Sequence, residues 1–134
     1  MTHPWLVDCA DRLEAAAEVA RDLQALGTLG AGPLRVRVEY LAERLWETAQ
    51  RMGILQTLAP GPRAQLAHCL CDLYRVARRG HALALADTQR VLSDGLEAIA
   101  SELQTLIAEI AAFDRADPGP PAARRAPVLV GSSW

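Results

Sequence analysis

The 134-residue chain is 51% hydrophobic but only 4% aromatic, 22% charged, and carries a formal net charge of −2. Such a composition suits a single domain with a core of Leu, Ala and Val, and it excludes a chain that is disordered throughout. The near balance of charge excludes an overall field strong enough to hold the molecule on nucleic acid or on an anionic membrane.

The first predicted helix opens at Pro4, whose missing N–H is no loss at a helix start. Asp8 and Asp11 follow where the helix dipole favours negative charge. Leu6, Cys9, Leu13, Ala16, Ala20 and Leu23 step by three and four, which places them on one stripe. Small residues in the middle of that stripe would let a neighbouring helix come close. Glu14, Glu18 and Asp22 lie off it. The helix is expected to end near residue 26, with the Gly-rich 27–32 as a connection. Pro33 opens the second helix, with Leu34, Val38, Leu41, Leu45, Thr48 and Met52 as its seam and Gly53 as its stop. Arg35–Glu39 and Glu47–Arg51 are i,i+4 pairs on its wet face. Tyr40 and Trp46 fall off the seam. An apolar loop, 54–61, is expected to fold over one end of the molecule.

Pro62 opens a third helix with Leu66, Leu70, Leu73 and Ala77 inward. The fourth is the most regular. Leu92, Leu96, Ile99, Leu103, Leu106, Ile110 and Phe113 alternate steps of four and three, with Asp94, Glu97, Glu102 and Glu109 off the stripe, where water can reach them. Extended backwards, this stripe reaches Leu85 and Ala82, out of phase with Leu73 and Ala77. A break is therefore expected between the two helices, at Gly80. Gly95 is expected to mark a kink or a close crossing. The Pro-rich 117–127 reads as a linker, followed by the apolar Val128, Leu129 and Val130 and then Trp134.

Helices at 4–26, 33–52, 62–79 and 82–114 make an all-α, four-helix up-down bundle over residues 1–115, with a long C-terminal helix and a Pro-rich flexible tail at 116–134. At 1.5 Å per residue the last helix is expected to be about 50 Å long and the others about 30 Å. The surplus turns point to a homo-oligomer or to a bound protein.

Chemistry-bearing residues are sparse. His68, Cys71 and Asp72 share a helix face and form the most metal-like cluster, but Cys69 points away and no second His or Cys pair follows at finger-like spacing. Two small buried thiols and a surface histidine are the simpler reading. Cys9, Cys69 and Cys71 show no framework spacing, which fits reduced thiols in a cytoplasm. No Glu precedes a His by three, so the inward Glu-x-x-His set of a di-iron bundle is not written here. Residues 27–32 lack the Lys of a phosphate-binding loop, and no nucleophile sits at a recognisable spacing from a base. No cofactor is implied. Neither a secretory leader nor a run of about eighteen apolar residues occurs, so no membrane contact is expected. All 14 basic residues are Arg, and neither Lys nor Asn is present, a bias that associates with GC-rich bacterial genomes.

Arg63, Arg75, Arg78, Arg79 and Arg90 give residues 63–90 a local positive excess over Asp72 and Asp87, an alternative phosphate-facing surface. The acidic first and fourth helices and the few aromatics oppose it. Tyr40 and Trp46 are candidate interface anchors. Val128 to Ser132, Val-Leu-Val-Gly-Ser, resembles the terminal peptides that load cargo into encapsulin shells. That resemblance implies a docking role for Val128, Leu129 and Val130, with Trp134 just beyond, although five residues assign no family. The expected function is a cytoplasmic, non-enzymatic interaction module that binds another protein or itself: an adaptor, inhibitor, chaperone-like partner or assembly subunit. Nucleic-acid binding through the 63–90 face and metal or small-ligand binding at His68, Cys71 and Asp72 are the alternatives.

Overall fold

The computed structural model describes residues 3–26, 29–30, 32–55 and 57–116. Four helices follow in order: α1 (Pro4–Gln24), α2 (Pro33–Ile54), α3 (Pro60–Ala86) and α4 (Arg90–Ala116). Proline opens the first three, where its fixed φ suits the helix and its missing donor costs nothing. His3 caps α1, its Nδ1 accepting from the Trp5 N–H at 3.1 Å. Before α2 the chain turns through Gly30 and Gly32, at φ +69 and +108, values that favour glycine.

Each helix packs on its neighbours in sequence and α4 closes back on α1, so the chain runs up, down, up, down around one core. The α1–α2 and α3–α4 pairs pack intimately, whereas α2–α3 and α1–α4 meet over less surface. The expected seams are that core. Leu6, Cys9, Leu13, Ala16, Ala20 and Leu23 of α1 are buried, as are Leu34, Val38, Leu41, Leu45, Thr48 and Met52 of α2 and the α4 stripe from Leu92 to Ile110. Phe113 is half-buried and lies edge-on to His3 and Trp5, with ring centroids 5.4 and 5.5 Å away.

The break between the third and fourth helices lies at 87–89 and not at Gly80. Gly80 is inside α3, where Leu66, Leu70, Leu73, Ala77, Gly80 and Ala84 form one inward row. The last three are too small to stand out as a hydrophobic stripe. They are small because α4 comes close: a Cβ on Gly80 would lie 3.2 Å from Leu96 Cδ1. Leu85, placed by sequence on the fourth seam, is 58% exposed on the outer side of α3, and Ala82 is exposed there too. The chain instead reverses at Asp87 and Thr88. Thr88 takes φ +54, and the Gln89 N–H donates to the Ala84 carbonyl at 2.9 Å.

This relocation divides the surplus between two helices. Helices α3 and α4 have 27 residues each, about 40 Å at 1.5 Å per residue, so α4 is matched in length by α3, while α1 and α2 are shorter at 21 and 22 residues. Other boundaries move less. Helix α3 starts at Pro60 and not at Pro62, and α2 runs on through Gly53 to Ile54, leaving 55–59 as the loop. Gly95 is a close crossing, where a Cβ would meet both δ-methyls of Leu23 at 2.8 Å. Among the described residues no helix is long and apolar enough to cross a membrane.

Candidate docking groove between α2 and α3

The two looser seams of the bundle are built in different ways. Between α1 and α4 the seam is laced at one end, with a hollow of about 160 Å³ beside Val19 and Ala98 at the other. Arg12 donates to both oxygens of Glu102, Nε at 3.2 Å and Nη2 at 3.1 Å, while its Nη1 reaches Glu109 at 3.0 Å and Asp8 at 3.1 Å. The Trp5 indole N–H donates to Glu109 at 2.7 Å. That indole bond, with help from Arg12, holds the Glu109 carboxyl below the usual carboxylate range. The Glu102 hydrogen bonds in turn push the Arg12 guanidinium above its ordinary value. Glu102 and Glu109 are thus bridging groups between helices and not simply a solvated face. The signal for this role is legible in the spacing: Trp5 and Arg12 are seven residues apart, and so are Glu102 and Glu109, one heptad on each of two facing helices.

Between α2 and α3 the seam is open. Away from Arg63, one side-chain hydrogen bond crosses it among the described residues, from the Tyr40 hydroxyl to Asp72 Oδ2 at 2.7 Å. That bond is also the main reason the Tyr40 phenol titrates above its ordinary value. Two hollows lie in line along this seam, on either side of the Tyr40–Asp72 bridge. One, of about 440 Å³, is lined by the apolar Val36, Tyr40 and Val76 together with Arg37, Arg75 and Arg79. The other, of about 340 Å³, is formed by Met52, Ile54, Leu66 and Cys69 together with Arg51 and Gln65. Val36 is 61% exposed and Ile54 81% exposed. The expected Glu47–Arg51 pair gives way to one between Glu47 and Arg44 at 3.0 Å.

The other sequence-derived candidates are dispersed. Trp46 is exposed on the opposite flank of α2, toward α1, with the Arg21 guanidinium 4.8 Å from its ring centroid. Tyr40 and Trp46 therefore do not form one patch. Arg63 is not part of any surface face. It is buried at the foot of α3, donating through Nε to Asp114 Oδ1 at 2.7 Å and through Nη1 to the Leu58 carbonyl at 3.1 Å. Arg75, Arg78 and Arg79 are exposed on α3, and Arg90 is exposed at the first residue of α4. His68 is exposed, while Cys71 and Asp72 are half-buried. Asp72 is already engaged by Tyr40, and among the described residues no three His, Cys, Asp or Glu side chains converge to hold a metal. Val128, Leu129, Val130 and Trp134 lie outside the described residues.

Two buried side chains are potential nucleophiles. Cys9 is buried, and burial pushes its thiol up to about 12, so no thiolate forms near neutral pH. Ser93, not singled out by sequence, lies with its Oγ 3.2 Å from His81 Nδ1, and His81 Nε2 lies 3.9 Å from Glu97. The set looks like a nucleophile, a base and an acid. However, the same Nδ1 is 3.0 Å from the Ser93 carbonyl, which can only accept. A proton on Nδ1 would be donated there and leave no lone pair to activate the Ser93 hydroxyl. Through these contacts His81 ties α3 to α4. The arrangement with ligand-binding form is the α2–α3 groove. Comparison of the chain with protein-family models, with curated proteins and with solved structures gives no match.

Proposed function

We propose that the chain is a protein-interaction module that works through the outer surface of α2 and performs no covalent chemistry. One observation carries this reading. Of the seven large apolar side chains exposed among the described residues, Val36, Tyr40 and Ile54 share one face of α2, with Trp46 on that helix's opposite flank, while Val7, Leu85 and Val91 stand singly on the other helices. Single exposed apolar residues are ordinary, but their concentration on one helix is the form of a binding surface. The sealed Cys9 thiol, and the Ser93 carbonyl that competes for His81 Nδ1, support the non-enzymatic part. An adaptor, an inhibitor, a chaperone-like partner and an assembly subunit all use this kind of surface. The unpaired cysteines suit a cytoplasmic setting, and the tail with Val128, Leu129, Val130 and Trp134 supplies a second docking element.

The test is capture of partners with three baits: the full chain, the chain ended after Ala116, and the full chain carrying Tyr40→Ala and Ile54→Ala. A partner lost with the α2 substitutions supports the reading. A partner lost only on truncation moves docking to the tail. A chain that captures nothing, and is a monomer by light scattering, overturns it. Nucleic-acid binding is the second reading, favoured by Arg75, Arg78 and Arg79 standing exposed together on α3. It requires a low-salt gel shift that disappears when these three become Ala.

A further inference from the structure

We infer that the α2–α3 groove receives an acidic amphipathic helix of another protein, laid along the seam from Val36 to Ile54. This deepens the interaction reading above and rests on it. The lining of the groove is largely apolar at both ends: Val36, Tyr40 and Val76 at one, Met52, Ile54, Leu66 and Cys69 at the other. From residue 36 to residue 54 the path measures about 27 Å at 1.5 Å per residue, the span of a helix of about 18 residues. A helix lying there would offer side chains at i, i+3/i+4 and i+7 to the two hollows, the usual mode of helix-in-groove recognition.

The charge around the groove selects the occupant. Arg37, Arg75 and Arg79 line one hollow and Arg51 the other. Two carboxylates along it are already committed, Asp72 accepting from Tyr40 and Glu47 pairing with Arg44, while Glu43 is exposed on the same row of α2. Arg75 lies 4.0 Å from Asp72, a loose exposed pair of little energetic weight. A helix with Asp and Glu flanking its apolar stripe meets these arginines favourably, whereas a basic helix is repelled. The apolar lining disfavours a nucleic-acid backbone, which would leave Val36 and Val76 against phosphate. A second copy of this chain is a poorer match, because its exposed acidic residues stand beside single or small apolar ones: Asp11, Glu18 and Asp22 of α1 beside Val7, Ala15 and Ala25, and Asp94 and Glu97 of α4 beside Val91 and Ala98.

The test presents the full chain to a displayed library of 20-residue amphipathic helices whose flanking positions are randomised among Asp, Glu, Ser, Lys and Arg. The same selection is run on the full chain with Arg75→Glu and Arg79→Glu. Both arginines are exposed, so neither change touches the core, and circular dichroism checks the fold. Enrichment of Asp and Glu flanks is expected on the native chain, with a reversal to Lys and Arg on the charge-swapped one. The best native peptide should lose at least tenfold in affinity on the swapped chain. No enrichment, enrichment without charge preference, or equal affinity for the two chains overturns the inference. So does tight binding of a DNA or RNA oligonucleotide that competes with the peptide, or a dimer by light scattering that the peptide dissociates. If the partner captured from cells still binds the Arg75→Glu, Arg79→Glu chain, this inference fails while the interaction reading stands. If neither peptide nor cellular partner binds, both fail.

Discussion

Replacing Gly95 and Gly80 by alanine, one at a time, isolates what the small residues of this bundle do. Both are mid-helix, where alanine is favoured over glycine by about 1 kcal/mol when nothing else intervenes. At Gly95 a new Cβ would sit 2.8 Å from both δ-methyls of Leu23 and 3.2 Å from its Cγ. Turning Leu23 about its outer bond does not relieve a clash with Cγ, so the whole side chain must move, and it is buried in the core. Overpacking of that kind costs about 1–3 kcal/mol. The net expectation for Gly95→Ala is a loss of up to about 2 kcal/mol. At Gly80 the nearest atom is one methyl of Leu96 at 3.2 Å, which a shift of a few tenths of an ångström relieves. Gly80→Ala should therefore change stability by less than about 1 kcal/mol in either direction. Urea denaturation of the two variants measures the difference. Adding Leu23→Ala to Gly95→Ala should abolish the penalty, since the double variant has the space the new methyl needs. A Gly95→Ala protein about 1 kcal/mol more stable than the parent would mean that Leu23 of α1 does not press on α4 at this point, and would refute the close crossing.

Arg63→Ala should cost about 2–3 kcal/mol in denaturant unfolding, because a buried charged donor to Asp114 and the Leu58 carbonyl is lost; a change below about 0.5 kcal/mol would show that it does not hold the foot of α3. Glu109 should make stability pH-dependent in a defined direction. Its folded carboxyl is held low by Trp5, so its contribution is complete above the unfolded value of about 4.3 and is lost as pH falls through the folded one. The melting-temperature gap between the parent and Glu109→Gln should be largest at pH 7 and shrink at pH 3, and a gap that widens in acid would contradict the indole bond. With a thiol-specific reagent at pH 8, Cys69 and Cys71 should react directly. Cys9, with its thiol near 12, should react only as fast as the protein opens, and three equal rates would refute its burial.

The large side chains wrote the fold plainly. Leu, Ile and Val at helical spacing marked the α1, α2 and α4 seams residue by residue, because each is costly to leave in water. The α3 seam was legible only as far as Ala77, where it passes into Gly80 and Ala84. An inward row of small residues buries little area, so it leaves little hydropathic trace, and glycine in such a row looks like a stop. The phase change between the third and fourth helices was a true signal, but Thr88 in the left-handed region gives no strong cue to its position. The candidate site was harder to read. Tyr40 was visible as an off-seam aromatic, yet the groove beside it depends on which two helices meet loosely, a property of pairs that no single seam contains. Arg63 misled because arginine is usually exposed, whereas its stem and guanidinium here fill the end of the bundle.

The contrast between the two loose seams explains why the groove lies where it does. In this up-down bundle of two helical hairpins, two seams join the hairpins: α2 and α3 are tied by the short connection between Ile54 and Pro60, whereas no loop connects α1 with α4. On the α1–α4 side Arg12 gathers two carboxylates of α4, Glu102 and Glu109, and Trp5 adds a third contact across the seam. Exposed ion pairs taken singly contribute little, but a half-buried network with bidentate geometry fixes register. On the α2–α3 side the exposed arginines are left without such partners and Tyr40–Asp72 is the single bridge away from Arg63 among the described residues. If folding stability alone shaped the surface, a carboxylate opposite Arg75 or Arg79 on α2 would be the simplest repair, and Val36, where an apolar side chain stands in water, is a ready place for it. Its presence as valine leaves an apolar lining beside positive charge. The laced seam keeps the hairpins together, which frees the other to bind.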